Sequence, residues 1–387
     1  MTFFLISSIV KIVVVFTATM VSVALLTLAE RRICALMQDR LGPNRVGPQG
    51  LLQPAADGLK NIFKEEALPA QADRTLFMLA PAIAFTPALL TFAVIPFASP
   101  LPTRWGDVSM VVADLPVGFL YILAISSLGV YGIVLAGWAS NNKYSLLGGL
   151  RASAQMISYE IAMGMAVVAV LLLAGNVTLS EIVMRQQASL WFVLPLTLAW
   201  VVFLIAAFAE TNRVPFDLPE AEGELVAGYH TEYSAMKFSM FYIAEYSSMI
   251  TASALMVSLF FGGWDIPFTS WDDHPPWTIA KTLATLAAFV AKTGFFLFTY
   301  IWVRWTVPRF RYDQLMALGW KVLLPMILAY IALLAVVIWY FHAGLGWVLD
   351  RRFAVALFAV NVLLLGIVAL GLDRGRIVSG SMAGRRV

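Results

Sequence analysis

Between residues 210 and 232 the chain reads Glu-Thr-Asn-Arg-Val-Pro-Phe-Asp-Leu-Pro-Glu-Ala-Glu-Gly-Glu-Leu-Val-Ala-Gly-Tyr-His-Thr-Glu. Six acids (Glu210, Asp217, Glu220, Glu222, Glu224 and Glu232) share this segment with one base, Arg213. Carboxylates this crowded cannot all stay ionised away from bulk water, because repulsion and desolvation both favour the protonated form. They titrate as a coupled set, and such a set takes up or releases protons when a nearby charge changes. A turn opening at Pro219 puts Glu220 and Glu224 on one face and Glu222 to the side. The plainer reading is a solvated acidic face, the usual fate of a charge run. Against it, the acids alternate with Pro215, Phe216, Leu218, Leu225, Val226 and Tyr229.

Other ionisable residues sit inside long apolar runs. Glu160 lies about six residues, or roughly 9 Å, into one run. Glu245 lies a few residues into another, and Lys292 stands near the middle of a third. A charge within a membrane-spanning helix is costly and is functional by default. Tyr159 and Tyr242 are candidate hydroxyl partners, and a structural ion pair between Lys292 and one of the glutamates is the alternative. A third group begins with Ala29-Glu-Arg-Arg32, an acid beside two arginines that suits a polar head group. Two prolines and three glycines in residues 42–50 then break the helix around Arg45. From Pro54 to Phe63 the residues Ala55, Leu59, Ile62 and Phe63 share one face, with Asp57, Lys60 and Lys64 elsewhere. This predicts an amphipathic helix lying in the membrane interface. For Lys60, Lys64 and Arg74 a simple anchoring role is the ordinary explanation.

The elements that must position these residues are membrane helices. Hydrophobic residues make up 60% of the 387 positions and charged residues 13%, about half the usual soluble share of ~25%. Nine apolar runs are long enough to cross a hydrocarbon core: 3–28, 76–98, 116–139, 154–174, 190–209, 240–262, 281–303, 321–342 and 353–372. No alternating pattern suggests strands. The expected fold is an all-α polytopic membrane protein, one membrane domain over 1–387, with structured loops on one side. That side holds 19 of the 26 Lys and Arg residues, which predicts that it is cytoplasmic. The N-terminus is then outside and the C-terminus inside. The apolar start reads as a retained span.

One cysteine, Cys34, and three scattered histidines offer no metal-ligand spacing and no iron–sulfur cluster, which needs four ligands. No cofactor is expected to be bound by this chain alone.

The segments Ala29–Arg32, Gln38–Gly50, Gly137–Lys143, Ala154–Glu160, Glu210–Ser234 and Pro308–Leu315 resemble the signatures of the quinone-site membrane subunit of respiratory complex I, a family found in bacteria and, as subunit 1, in mitochondria. The resemblance runs from about residue 10 to 342. It implies a subunit of a proton-translocating NADH:quinone oxidoreductase in the bacterial inner membrane, seated where the peripheral arm meets the membrane arm. Ubiquinone or menaquinone would be the substrate, and FMN and iron–sulfur clusters would belong to partner subunits. By position in those motifs, Glu30, Arg32, Asp57 and Arg213 match residues shaping the quinone chamber. Glu160, Glu210, Glu220, Glu222, Glu224 and Glu245 match an acidic funnel, and Lys292 joins this set as an intramembrane charge. Spans two to six would form half of an antiporter-like channel. The ninth span and the basic tail Arg374–Val387 exceed the eight spans of the mitochondrial type. Two other readings stay open: a related membrane-bound hydrogenase or differently fed dehydrogenase, and a standalone proton or cation transporter.

Overall fold

The computed structural model describes the backbone of residues 2–373, apart from positions 105, 220, 221, 268, 273, 345 and 347–350. The side chains of 2–4, 222, 351 and 368–373 also lie outside the description, as do the tail Arg374–Val387 and Glu220.

The helices are α1 Thr2–Met37, α2 Gln53–Phe63, α3 Arg74–Leu90, α4 Gly118–Ala139, α5 Lys143–Ala174, α6 Leu179–Ala188, α7 Thr197–Glu210, α8 Glu222–Leu225, α9 Ala235–Phe260, α10 Ile279–Thr306, α11 Tyr312–Ala317, α12 Leu324–Trp339 and α13 Arg351–Asp373. Seven described helices are long and apolar enough to cross a membrane, the last running almost without interruption from Tyr312 to Gly344. The apolar stretches Thr197–Glu210 and Arg352–Ile367 are shorter.

Several helices outrun their apolar segments. α1 continues nine residues beyond Leu28, so Glu30, Arg31 and Arg32 ride on its last turns rather than in a loop. α5 starts at Lys143, where the Asn142 side chain accepts from Tyr144 N–H as a helix cap. α2 is the expected surface helix, with Leu59, Ile62 and Phe63 exposed. A side that stays bare in this chain matches a helix lying against lipid.

Two expectations change. The fifth apolar run is helical only from Thr197, because residues 190–196 form turns in which Pro195 has no N–H to give. A small antiparallel hairpin, β1 Ala98–Thr103 with β2 Gly106–Met110, follows α3. Its prolines, Pro100 and Pro102, are tolerated because a two-stranded hairpin has only edges.

Side-chain contacts sort the loops to two ends of the bundle. The C-terminal ends of α1, α7 and α10 meet at one end, through Glu30, Arg213 and Arg304. The hairpin lies at the other, where Ser99 N–H donates to Thr285 Oγ1 and Lys11 donates to the Val111 carbonyl. The core runs along α5, α7 and α9 and is rich in small residues: Ala162, Ala166, Ala199, Ala206 and Ala254 are fully buried. Small side chains let membrane helices approach closely enough for dispersion to hold them. The tightest approach is α4 on α3, where a Cβ on Gly132 would stand 2.5 Å from the Ala84 backbone nitrogen. α13 is pinned by a buried amide. Asn361 Nδ2 donates to the Pro195 carbonyl at 2.6 Å, and Tyr330 Oη donates to Asn361 Oδ1 at 2.9 Å. Asn361 thus satisfies a carbonyl in the turns before α7.

Gly132→Ala should force α3 and α4 apart and lower the melting temperature of the purified protein by several degrees, a loss of about 1–3 kcal/mol. A variant that accumulates and melts like the parent would contradict this helix contact.

Candidate functional site

At the base-rich end of the bundle four elements bring their charges to one point. The Glu30 carboxylate on α1 is 5% exposed and has three partners. Arg213, just beyond α7, donates from Nη1 at 3.1 Å. Tyr246 of α9 donates its hydroxyl at 2.7 Å, and Arg304 near the end of α10 donates from Nη1. Arg213 also faces Glu245 of α9, with Nε 2.6 Å from Oε1, and its guanidinium lies 4.5 Å above the Tyr246 ring. Burial alone would lower the Arg213 pKa, but Glu245, Tyr246 and Glu30 outweigh it and push it well above its ordinary value. One buried guanidinium therefore ties two carboxylates together and stays charged while doing so.

Glu245 also lines a cavity of about 100 Å³ enclosed by α3, α4, α5, the end of α7 and α9. That volume is room for about three waters. Glu210, Ser126, Thr91, Ser248 and Thr251 line the same cavity. Ser126 lines this cavity with Glu210, and the adjacent Ser127 donates to Glu160. Neighbouring serines on α4 thus lie at acids from α7 and α5. Tyr159, the candidate hydroxyl next to Glu160 in sequence, instead donates to the Leu315 carbonyl at 2.9 Å. Adjacent residues on a helix point in different directions, so Tyr159 and Glu160 do not share a face.

The rest of the acidic loop is fastened by arginines. Asp217 pairs with Arg309 at 2.8 Å. Burial raises the Asp217 pKa, and Arg309, Arg304 and Arg213 oppose that rise. Glu224 is mostly exposed and meets Arg151 of α5 at 2.8 Å, while Arg151 also lies over the Tyr312 ring. Glu232 accepts from Asn142 at 2.6 Å. Glu222 opens α8, and its side chain, like all of Glu220, lies outside the described residues. Asp57 of α2 pairs with Arg31 at 2.5 Å, beside Glu30 in sequence. Arg32 is part-exposed on the same turn, where its backbone contacts the Gly42 position.

Among the sequence-predicted residues, then, Glu30, Arg213 and Glu245 converge, Glu210 and Glu245 share a cavity, and Glu160 reaches the same α4 serine pair. Glu224 and Asp57 lie on the exposed rim. Lys292 does not join the group. It meets the C-terminal end of α9, sixteen residues or about 24 Å from Glu245 along that helix. Ser126, Ser127, Tyr246 and Arg304 escape sequence reasoning. A Ser-Ser pair in an apolar run is a weak signal, and nothing in the spacing says which arginine meets Glu30.

His230 closes the loop from a buried position beside Phe238 and Tyr229, and burial lowers its pKa to about 4. An unfolded histidine titrates near 6.5, so between pH 6.5 and 4 the unfolded chain binds more protons. The stability contribution is full above that window and is lost as pH falls through it. Melting followed from pH 7 to 4.5 should show this loss, on the order of 2–3 kcal/mol at the acid limit, and His230→Asn should flatten it. Arg213→Met should leave two buried acids facing each other and destabilise by about 3–5 kcal/mol, cutting the amount of assembled protein. Adding Glu245→Gln should recover much of that loss. Equal damage in the single and double variants would mean that the guanidinium is not holding Glu245.

The whole-chain comparisons agree with one another. The family model described as NADH dehydrogenase matches residues 10–335. An NADH-quinone oxidoreductase subunit of Cytophaga hutchinsonii is 49% identical over 325 residues, covering 84% of this chain and 94% of the relative. The NADH-quinone oxidoreductase subunit of Rickettsia peacockii is 52% identical over 335 residues, 85% of this chain and 93% of the relative. NADH-ubiquinone oxidoreductase chain 1 of Chondrus crispus is 50% identical over 332 residues, 86% and 97% of the two chains. With half of the residues shared over nearly the full length of each relative, the chain belongs to the NADH dehydrogenase family.

Proposed function

We propose that this chain is the membrane subunit of a proton-translocating NADH:quinone oxidoreductase and carries the step that links quinone reduction to proton movement. Glu30, Arg32, Asp57 and Arg213 shape the quinone chamber. Glu160, Glu210, Glu220, Glu222, Glu224 and Glu245 form an acidic funnel leading from it. The reading includes nine spans, an outer N-terminus and a cytoplasmic C-terminus in a bacterial inner membrane. Peripheral-arm subunits bring electrons through FMN and iron–sulfur clusters, and membrane-arm subunits receive the effect.

The observation that carries this reading is the double engagement of Glu245. Its carboxylate is paired with Arg213, which also holds Glu30, and the same residue lines the cavity that Glu210 enters. A change of charge near Glu30 therefore alters how strongly Arg213 holds Glu245. Weaker pairing favours protonation of a buried carboxylate, and stronger pairing favours its release. The neighbouring carboxyls respond as a set. Lys292 is left out of this proton set, because all of its donors are engaged elsewhere.

Glu245→Gln and Glu210→Gln, each in the assembled complex, should slow NADH:quinone turnover at least about tenfold. NADH oxidation by a hydrophilic acceptor, which bypasses the membrane subunit, should be unchanged. Normal quinone turnover in either assembled variant removes that acid from the mechanism. Purification with its partners tests the assignment itself: flavin- and NADH-binding subunits must accompany the chain, and a nickel–iron hydrogenase subunit in their place would overturn it.

A further inference from the structure

Lys292 lies in the middle of α10, where a cation in lipid needs partners close at hand. The ammonium meets neither Glu160 nor Glu245. Its Nζ donates to three backbone carbonyls: Phe261 at 2.7 Å, Gly263 at 3.1 Å and Asp265 at 2.6 Å. An ammonium has three N–H donors, so this set uses all of them. The Trp191 ring also lies against the ammonium, with its centroid 4.1 Å from Nζ. Trp191 is itself fixed, since its Nε1 donates to Asp265 Oδ2 at 2.5 Å.

The backbone is shaped to make this cage. Gly262 and Gly263 follow one another with φ of +73° and +55°, a left-handed pair that curls the chain so that alternate carbonyls point the same way. Side chains there would also collide. A Cβ on Gly262 would stand 2.5 Å from Trp191 Nε1, and one on Gly263 would stand 2.6 Å from Val183.

The end of α9 has a demanding account to settle. A helix leaves its last carbonyls without intrahelical donors, and inside a membrane each such group costs several kcal/mol. Val257 accepts from the amides of Phe261 and Gly263, and Phe260 accepts from Val193 N–H. Ser258 accepts from Gln186 Nε2. The carbonyls of Phe261, Gly263 and Asp265 are the ones that Lys292 supplies.

We propose that Lys292 is a positioning residue whose ammonium, as a tethered cation in this carbonyl cage, locks the C-terminal end of α9 to α10 and so sets the axial seat of Glu245. The clamp itself follows from the geometry alone. Its consequence for turnover rests on the coupling role proposed for Glu245. Over about 24 Å the influence is mechanical, carried by the helix between the two residues.

The test compares complexes carrying Lys292→Met, Lys292→Ala and Glu245→Gln. In Lys292→Met the amides of Phe261, Gly263 and Asp265 should exchange with deuterium about tenfold faster. Quinone turnover should fall severalfold, with NADH oxidation by the hydrophilic acceptor intact. In Lys292→Ala, propylammonium should restore part of both, whereas tetramethylammonium, which has no N–H, should not. Wild-type exchange in Lys292→Met overturns the clamp. Faster exchange with full quinone turnover, beside a slow Glu245→Gln complex, overturns the positioning role and leaves the coupling reading intact. Full turnover in Glu245→Gln instead overturns the coupling reading, and exchange alone then judges the clamp. If Lys292→Met does not assemble, Lys292→Ala assembled with and without propylammonium decides, with recovery supporting the cage and no recovery overturning it.

Discussion

The arrangement depends on one shared guanidinium. Arg213 is buried between Glu30 and Glu245 and pairs with both. Two buried carboxylates facing one cation leave a net negative charge, which Arg304 offsets at Glu30 from the exposed side. The balance is close. Burial disfavours the charges of Glu30, Arg213 and Glu245, and only mutual attraction with good hydrogen bonds compensates. A site of this kind responds when one member changes, because Glu30, Arg213 and Glu245 are held by one another rather than by solvent.

Its placement follows from the helices that supply it. Glu30 is on α1, Glu245 and Tyr246 on α9, Arg304 on α10, and Arg213 comes immediately after α7. Four helices must end or pass at the same level for these side chains to meet. The small-residue core between α5, α7 and α9 sets their separations, and hydrogen bonds donated to backbone carbonyls by the Gln186 and Lys292 side chains and the Val193 amide hold the far end of α9. The polar site and the distant clamp are two ends of one rigid element.

Much of this was legible in the sequence, and the limits are physical. Apolar runs mark most of the long apolar helices because lipid demands them, and the face shared by Leu59, Ile62 and Phe63 marks α2 as an amphipathic helix. The acids within spans are conspicuous because charge in lipid is costly. What the sequence withheld was pairing. Glu30 is 183 residues from Arg213 and 274 from Arg304, and nothing local selects those partners among many basic residues. Tyr159 suggests itself as a partner for Glu160 by adjacency, yet helix geometry turns it toward Leu315. The break before Thr197 was hidden because Trp191 to Leu196 is apolar whether helical or not. The hairpin after α3 was hidden by its prolines and brevity.

Those same separations bear on how the protein is made. Chains emerge from the ribosome at about 5–20 residues per second, so Glu30 is synthesised roughly 15–55 s before Arg304. Arg213 follows Glu30 by 183 residues, so for roughly the first 9–37 s the carboxyl has neither of its arginines, and burying a lone ionised acid in hydrocarbon is costly. The end of the first helix must therefore wait at the water boundary, or carry its proton, until Arg213 has been made, and its pairing is complete only once Arg304 has followed. Biogenesis thus ties the charged knot late: its final arginine arrives with the tenth helix, ahead of α11, α12 and α13.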